Sequence, residues 1–287
     1  MNSCRWSHSG QLSRQPFFAV SRYTRLMLEI HESIGWNLGE AQVFRAIWHG
    51  QPAVLKRHRQ LHKFVRERHD SQVWAHTGYL PEVLHHDEAN LELVFAWAPG
   101  ECAAKVAPTE QMYWVAGHAL RTLHDAAPRP LPFDDGRGDV ADLMARYLPR
   151  AAGVLPARQV QRVEVLTRDL LGHPFPPTVL RHADYSARNW LWDGERLTVI
   201  DTEMARPGPA VLDVVKLWNQ LSTTTDAARL SEAFQQGYGR AWTAGESEFL
   251  GAVRALDALV MVVWCHEHEE AAGKERFRSA LNQLCPV

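Results

Sequence analysis

The sequence predicts an α+β chain of two unequal parts. A small N-terminal part of antiparallel strands with one helix precedes a larger, mainly helical C-terminal part. Three observations carry this expectation. Short apolar runs separated by turn residues fill the stretch up to Trp97. Apolar residues at three- and four-residue steps dominate from Thr109 onward. Between those helices, apolar runs flank a polar loop over 178–201, which reads as strands.

The elements follow in order. Residues 26–30 form a first strand. Gly35 and Gly39 lie in the turn between two strand-like runs, the second ending at Trp48. A hairpin turns at His49-Gly50-Gln51 and returns as Ala53-Val54-Leu55-Lys56. A lysine at the end of a buried strand is costly unless paired. A helix is expected over 61–77, and Glu67 is its only glutamate. A buried strand over 91–97 is broken by Ala98-Pro99-Gly100. Helices are expected over 109–125, with Thr109 as cap, and over 140–148 and 157–171. Gly172-His-Pro stops the chain before a strand over 178–180, the polar loop, a short strand over 190–192, a turn at Gly194 and a strand ending at Asp201. Helices over 211–221, 227–242, 247–271 and 274–283 complete the chain.

Composition narrows the class. The 287 residues fit one large domain or two lobes. A hydrophobic share of 46% with 22% charged residues is ordinary for a globular protein, and the net charge of -2 gives no sign of a nucleic-acid partner. The 15 histidines are scattered, and His85-His86 and His266-Glu-His268 lack zinc-site spacing. Four dispersed cysteines read as free thiols in a reducing, cytoplasmic compartment. No apolar run reaches the roughly 18 residues of a membrane span. The first 26 residues are Ser- and Arg-rich without an acid, as in a transit peptide. The preferred reading is a flexible arm, 1–26, with folding beginning near Met27.

The chemistry concentrates in His182-Ala-Asp184-Tyr-Ser-Ala-Arg188-Asn189, with Ile200-Asp201 twelve residues after Asn189. Such a loop can aim Asp184 at a substrate proton and offer Asn189 and Asp201 as hard oxygen ligands for magnesium. The alternative is a solvated hairpin loop in which Asp and Asn are turn residues.

These residues resemble the catalytic loop of the aminoglycoside phosphotransferase family of small-molecule kinases, whose pattern is His-x-Asp-x-x-x-x-Asn followed by Ile-Asp. The resemblance implies a two-lobed protein-kinase-like fold, with a nucleotide-binding lobe over 27–98 and a catalytic and substrate-binding lobe over 99–287. It implies Asp184 as catalytic base, Asn189 and Asp201 on Mg²⁺, and His182 as support for the loop. Gly35 and Gly39 would cover the nucleotide phosphates, although the full Gly-x-Gly-x-x-Gly is missing and a plain hairpin is the alternative. Lys56 would hold the phosphates with Glu67 as partner; otherwise both are surface charges. Backbone groups from Phe95 to Trp97 would hold the adenine edge, or serve only as core. Arg188 would add charge near the γ-phosphate or point outward. Asp213 would brace the loop, or simply favour a helix N-terminus. Asp-Thr-Glu stands where protein kinases usually have Asp-Phe-Gly, so Glu203 would approach a second metal or be exposed. The C-terminal helices would build the acceptor cleft, with Trp218, Trp264 and Glu267 as candidate contacts and core tryptophans as the alternative.

The implied activity is a Mg²⁺-dependent O-phosphotransferase moving the γ-phosphoryl of ATP or GTP to a hydroxyl of a small molecule. A hydroxylated antibiotic is the first expectation, with resistance as the consequence. The alternatives are a metabolic kinase of choline, homoserine or sugar type, and a pseudokinase that binds nucleotide without turnover. Neither a nucleic-acid nor a membrane partner is expected, and no feature indicates an oligomeric state.

Overall fold

The computed structural model describes residues 27–34, 41–126, 136–222 and 224–286. Gly35, Gly39 and the arm over 1–26 lie outside the described residues. The architecture is α+β, with a small antiparallel-sheet lobe and a larger helical lobe.

The small lobe carries one five-stranded sheet in the order β1-β2-β3-β5-β4: β1 (Leu28–Ser33), β2 (Ala41–Trp48), β3 (Gln51–His58), β4 (Val83–Asp87) and β5 (Glu92–Ala96). Every pairing in it is antiparallel. The β2–β3 hairpin closes with Trp48 opposite Gln51, and its two turn residues, His49 and Gly50, both have positive φ. That twist matches the flanking strands. Period-two alternation divides β3 between the two faces of the sheet. Ala53 and Leu55 join Ala46 and Val94 in one apolar cluster. Val54 packs with Phe64, Leu93 and Phe95 on the other face, against α1 (Leu61–Trp74). Lys56 and His58 share the parity of Val54. The helix expected over 61–77 ends at Trp74 and closes with a 3₁₀ turn, Ala75–Thr77.

The large lobe contains α2 (Glu110–Ala126), α3 (Arg137–Ala151), α4 (Ala157–Gly172), α5 (Val215–Leu221), α6 (Ala227–Tyr238), α7 (Ala244–Glu267) and α8 (Ala271–Leu284). Helices α2 and α6 cross at Gly117 and Gly237. A Cβ on Gly117 would collide with the Phe234 carbonyl, and one on Gly237 with the Trp114 carbonyl, so only glycine permits this approach. Trp74 donates its indole N–H to Leu123 O at 2.9 Å, which ties α1 to α2.

Several boundaries differ from the sequence reading. Helix α7 begins earlier than 247, because Thr243 and Glu246 form a capping box. Helix α6 stops at Tyr238 rather than 242, because Gly239 adopts the left-handed conformation that ends helices. The single helix expected over 211–221 is a 3₁₀ turn, Ala210–Val214, followed by α5. Helix α7 is long and apolar enough to cross a membrane by length and composition, which no uninterrupted run in the sequence suggested. Of its apolar window, 67% is buried inside the protein, as befits a core helix.

Short strands frame the polar loop. Strand β7 (Thr178–Arg181) pairs with β10 (Arg206–Pro209). Strands β6 (Glu101–Cys102), β8 (Trp190–Trp192) and β9 (Leu197–Val199) make a three-stranded sheet. Gly100 has φ 107°, and a Cβ there would strike the Trp192 backbone, so glycine lets the connection between the lobes pass close to β8. Strand β9 ends at Val199, two residues short of the expected end, and Asp201 leaves it with φ 68°.

Candidate active site

The site is built from β3, α1, the 182–189 loop and the segment after β9. Lys56 is buried, and its Nζ lies 2.8 Å from Glu67 Oε2, 2.5 Å from Asp201 Oδ1 and 3.1 Å from Glu203 Oε2. Burial alone would lower the Lys56 pKa. The three carboxylates outweigh it and hold the ammonium above its ordinary value. For Asp201, burial acts upward, but the Lys56 charge and hydrogen bond keep its carboxyl below the usual range. The expected Lys56–Glu67 pair thus exists as geometry, and it is larger than a pair.

His58 is the member that the sequence reading missed. It lies two residues beyond Lys56 on the same face of β3, and its Nε2 is 2.8 Å from Glu67 Oε2. Its Nδ1 is 3.6 Å from Glu203 Oε2, while Lys63 Nζ reaches Glu203 Oε1 at 3.2 Å. The strand period of two was the available signal. Glu203 therefore faces this cluster rather than solvent. Ligand atoms of His58, Glu67 and Glu203 lie within 4.8 Å of one another, close enough for a metal ion. Lys56 already neutralises both carboxylates, so the cluster reads as an ion-pair network.

The 182–189 loop is fixed through its backbone. Asp213, fully enclosed, accepts from His182 N at 2.8 Å and from Ala183 N at 2.6 Å. Ala183 has φ 63°, a conformation that costs a non-glycine residue about 1–2 kcal/mol. The Asp213 carboxylate holds it there. Burial would raise the Asp213 pKa, but the hydrogen bond from His124, with the charges of His124 and Arg181, keeps it low. His124 is in turn anchored to Tyr238 OH at 2.9 Å. His182 turns its own ring inward, with Nε2 3.0 Å from Ile200 O. The Ile200 N–H donates to Asn189 O at 2.9 Å, so the residue before Asp201 is tied to Asn189.

Asp184 is held at both oxygens. Asn189 Nδ2 donates to Oδ2 at 2.9 Å and also to the Asp184 carbonyl. Lys216 Nζ, from α5, donates to Oδ1 at 2.5 Å. Lys216 was also absent from the sequence expectations. It follows Asp213 by three residues, the helical step that places two side chains on one face.

Other expected residues lie elsewhere. Arg188 is exposed, so the outward alternative holds for it. Phe95 is buried in the sheet core, and Trp97 is partly exposed with the Arg45 guanidinium 4.9 Å from its ring. The Ala96 N–H donates to Glu82 O and the Trp97 N–H to Pro52 O, so these two donors, just before the connection between the lobes, are already engaged. Three candidate acceptor contacts do not meet Asp184. Trp218 is buried edge-on against Phe234, with centroids 5.1 Å apart. Trp264 stacks on His268 at 4.1 Å, and Glu267 is paired with Arg150 of α3. The physical reason is the length of α7. Asp257 meets α5 through Asn219 at 2.9 Å, and Glu267 lies ten residues, roughly 15 Å, further along the axis.

A buried lysine on a sheet facing a helix glutamate, above a backbone-strapped Asp/Asn loop, defines a kinase-type phosphotransferase cleft. The profile of the phosphotransferase enzyme family (APH) matches residues 33–247, and the chain belongs to that family. It is a small-molecule kinase. The search of curated proteins gave no match. Among solved structures, a choline/ethanolamine kinase family protein from Mesorhizobium loti is 22% identical, with 90% of this chain and 88% of that chain covered and a TM-score of 0.66. The GDP and kanamycin complex of APH(2")-IIIa is 12% identical, with 90% and 93% covered and a TM-score of 0.65. The macrolide 2'-phosphotransferase MphH from Brachybacterium faecium is 20% identical, with 91% and 93% covered and a TM-score of 0.58. At these identities the likeness shows the fold.

Proposed function

We propose that this chain transfers the γ-phosphoryl group of ATP or GTP, with Mg²⁺, to a hydroxyl of a small molecule. The arrangement at Asp184 carries the reading. Asn189 donates to one carboxylate oxygen and Lys216 to the other, and each oxygen keeps a lone pair on a partly open side chain that a substrate hydroxyl can reach. Asp184 then takes the hydroxyl proton as phosphorus is attacked.

The donor set fits magnesium. Asn189 uses its Nδ2 on Asp184, which leaves its carbonyl oxygen, and Asp201 uses Oδ1 on Lys56, which leaves Oδ2. Both are hard oxygens of the kind Mg²⁺ prefers. When bound, the ion would neutralise phosphate oxygens. Lys56 would exchange part of its carboxylate contact for the nucleotide phosphates. At the hinge, Ala98 offers the first peptide N–H beyond Trp97, and no partner for it is present among the described residues. We assign the adenine edge to it. Gly35 and Gly39 remain candidates for the phosphate cover.

The acceptor is either a hydroxylated natural product, whose phosphorylation would give antibiotic resistance, or a metabolite. The likeness to a choline/ethanolamine kinase family protein favours keeping the second reading. Cys102, Cys265 and Cys285 are free thiols, in keeping with a reducing cytoplasm. The test is nucleotide turnover against a panel of hydroxylated antibiotics and metabolites, with and without Mg²⁺. Turnover that persists unchanged in Asp201→Ala with full magnesium dependence would remove the metal assignment.

A further inference from the structure

We propose that Lys216 is a second catalytic cation, placed at the acceptor end of the cleft, and that it selects acceptors whose reacting hydroxyl is flanked by neutral or anionic groups rather than an ammonium. The proposal rests on the phosphotransferase reading and adds to it.

The geometry is direct. Lys216 Nζ lies 2.5 Å from Asp184 Oδ1, while Asn189 occupies Oδ2. Each oxygen keeps a lone pair, and an acceptor hydroxyl delivering its proton to Oδ1 comes to lie beside the ammonium. In the transfer step the acceptor O–H proton passes to Oδ1 and the acceptor oxygen bonds to the γ-phosphorus. The bond from that phosphorus to the β,γ-bridging oxygen breaks, and the nucleoside diphosphate leaves. A cation next to the attacking oxygen faces the equatorial oxygens of the moving phosphoryl group, where negative charge is spread. Lys56 serves the opposite, donor side, fixed among three carboxylates. Lys216 has one carboxylate and a partly exposed side chain, so it is free to turn to phosphate.

The acids near it, apart from Asp184, have other partners. On the same face of α5, Asn219 accepts from Arg254 Nε at 3.1 Å and donates to Asp257 Oδ2 at 2.9 Å. Burial pushes the Asp257 carboxyl above the ordinary carboxylate value, with Lys216 and Asn219 acting the other way. Of the acids on α7, Glu246 is occupied by Arg240 and Glu267 by Arg150. Lys216 is thus the cation in direct contact with Asp184, and it repels an ammonium near the reacting hydroxyl.

Two arms test this. The first uses water as acceptor, through slow Mg-nucleotide hydrolysis by the full chain, and needs no identified substrate. Lys216→Met should lower kcat about tenfold or more with nucleotide KM changed less than about twofold, and Lys216→Arg should restore much of it. An unchanged kcat, or a change confined to KM, overturns the catalytic role. The second arm compares glycerate, glycerol and 3-amino-1,2-propanediol as matched acceptors and as competitors of hydrolysis. Glycerate and glycerol should be preferred, and Lys216→Glu should shift the preference toward the amine, which loss of structure alone would not do. A preference for the amine in the wild type, or no discrimination among the three, overturns the selectivity. Absence of hydrolysis in the wild type itself would instead count against the phosphotransferase reading.

Discussion

The two ends of the cleft handle charge in opposite ways. At the donor end, Lys56, His58 and Lys63 meet Glu67, Asp201 and Glu203 in a largely buried network drawn from β3, α1 and the segment after β9. At the acceptor end, Asp184 meets one amide and one lysine and remains partly open to solvent. The donor end is positioned by side-chain ion pairs. The acceptor end is positioned by its backbone, because Asp213 grips the peptides of His182 and Ala183 and leaves the Asp184 side chain to Asn189 and Lys216. Loss of a charge should therefore cost stability at the donor end and turnover at the acceptor end.

The largest effect is expected at the acceptor end. Asp184→Asn should lower transfer by about 10²–10⁴-fold, the range for loss of a general base, with nucleotide affinity and melting temperature nearly unchanged. Surviving turnover would mean that the base lies elsewhere. Lys56→Met should break the contrast from the other side. It leaves three carboxylates facing one another, so about 3 kcal/mol of stability should go with it, read as a lower denaturant midpoint, together with a large loss in kcat/KM for the nucleotide. Full stability in that variant would show that the network does not hold the lobes in place.

Asp213→Asn should give a smaller mixed effect, since an amide nitrogen cannot accept the N–H that one carboxylate oxygen accepts. A loss of about 1–3 kcal/mol is expected, along with reduced kcat. Its pH dependence has a definite sign. The Asp213 carboxyl is held low in the fold, so its contribution is present above the unfolded carboxylate value near 4 and fades as pH falls through the folded value. The difference in melting temperature between wild type and variant should shrink on acidification. A difference that grows toward low pH would contradict this. The smallest effect is expected at Asp257, whose carboxyl is raised by burial, so that its ionisation costs stability as pH rises through the folded value. Asp257→Asn should raise the melting temperature by about 2 °C at alkaline pH and by little once the pH falls below the unfolded carboxylate value near 4. Equal shifts at both pH values would count against a buried carboxylate there.

Much of this was legible in the chain. Strand and helix periods gave β3, β5, α2 and α4 to within a few residues, and local spacing alone assembled His182, Asp184, Asn189 and Asp201. Those features are local, so residues near in sequence suffice to specify them. The boundaries that were missed had local signals too: Thr243-Gly-Glu-Ser carries its capping acid at Glu246, and Gly239 stops α6. What the sequence could not determine was which distant groups meet. His58 and Glu203 converge across 145 residues, Asp213 reaches back to His182, and Lys216 crosses to Asp184. The same limit applies to Trp218, Trp264 and Glu267, whose residue types suit an acceptor pocket and whose positions on α5 and α7 turn them into the core or toward α3. The sequence by itself determined the residue types and spacing of the loop and the class of fold, because spacing along a strand or helix fixes which face a side chain takes. Only the tertiary structure decided the charge at each end of the cleft, because that depends on which elements pack together across the chain.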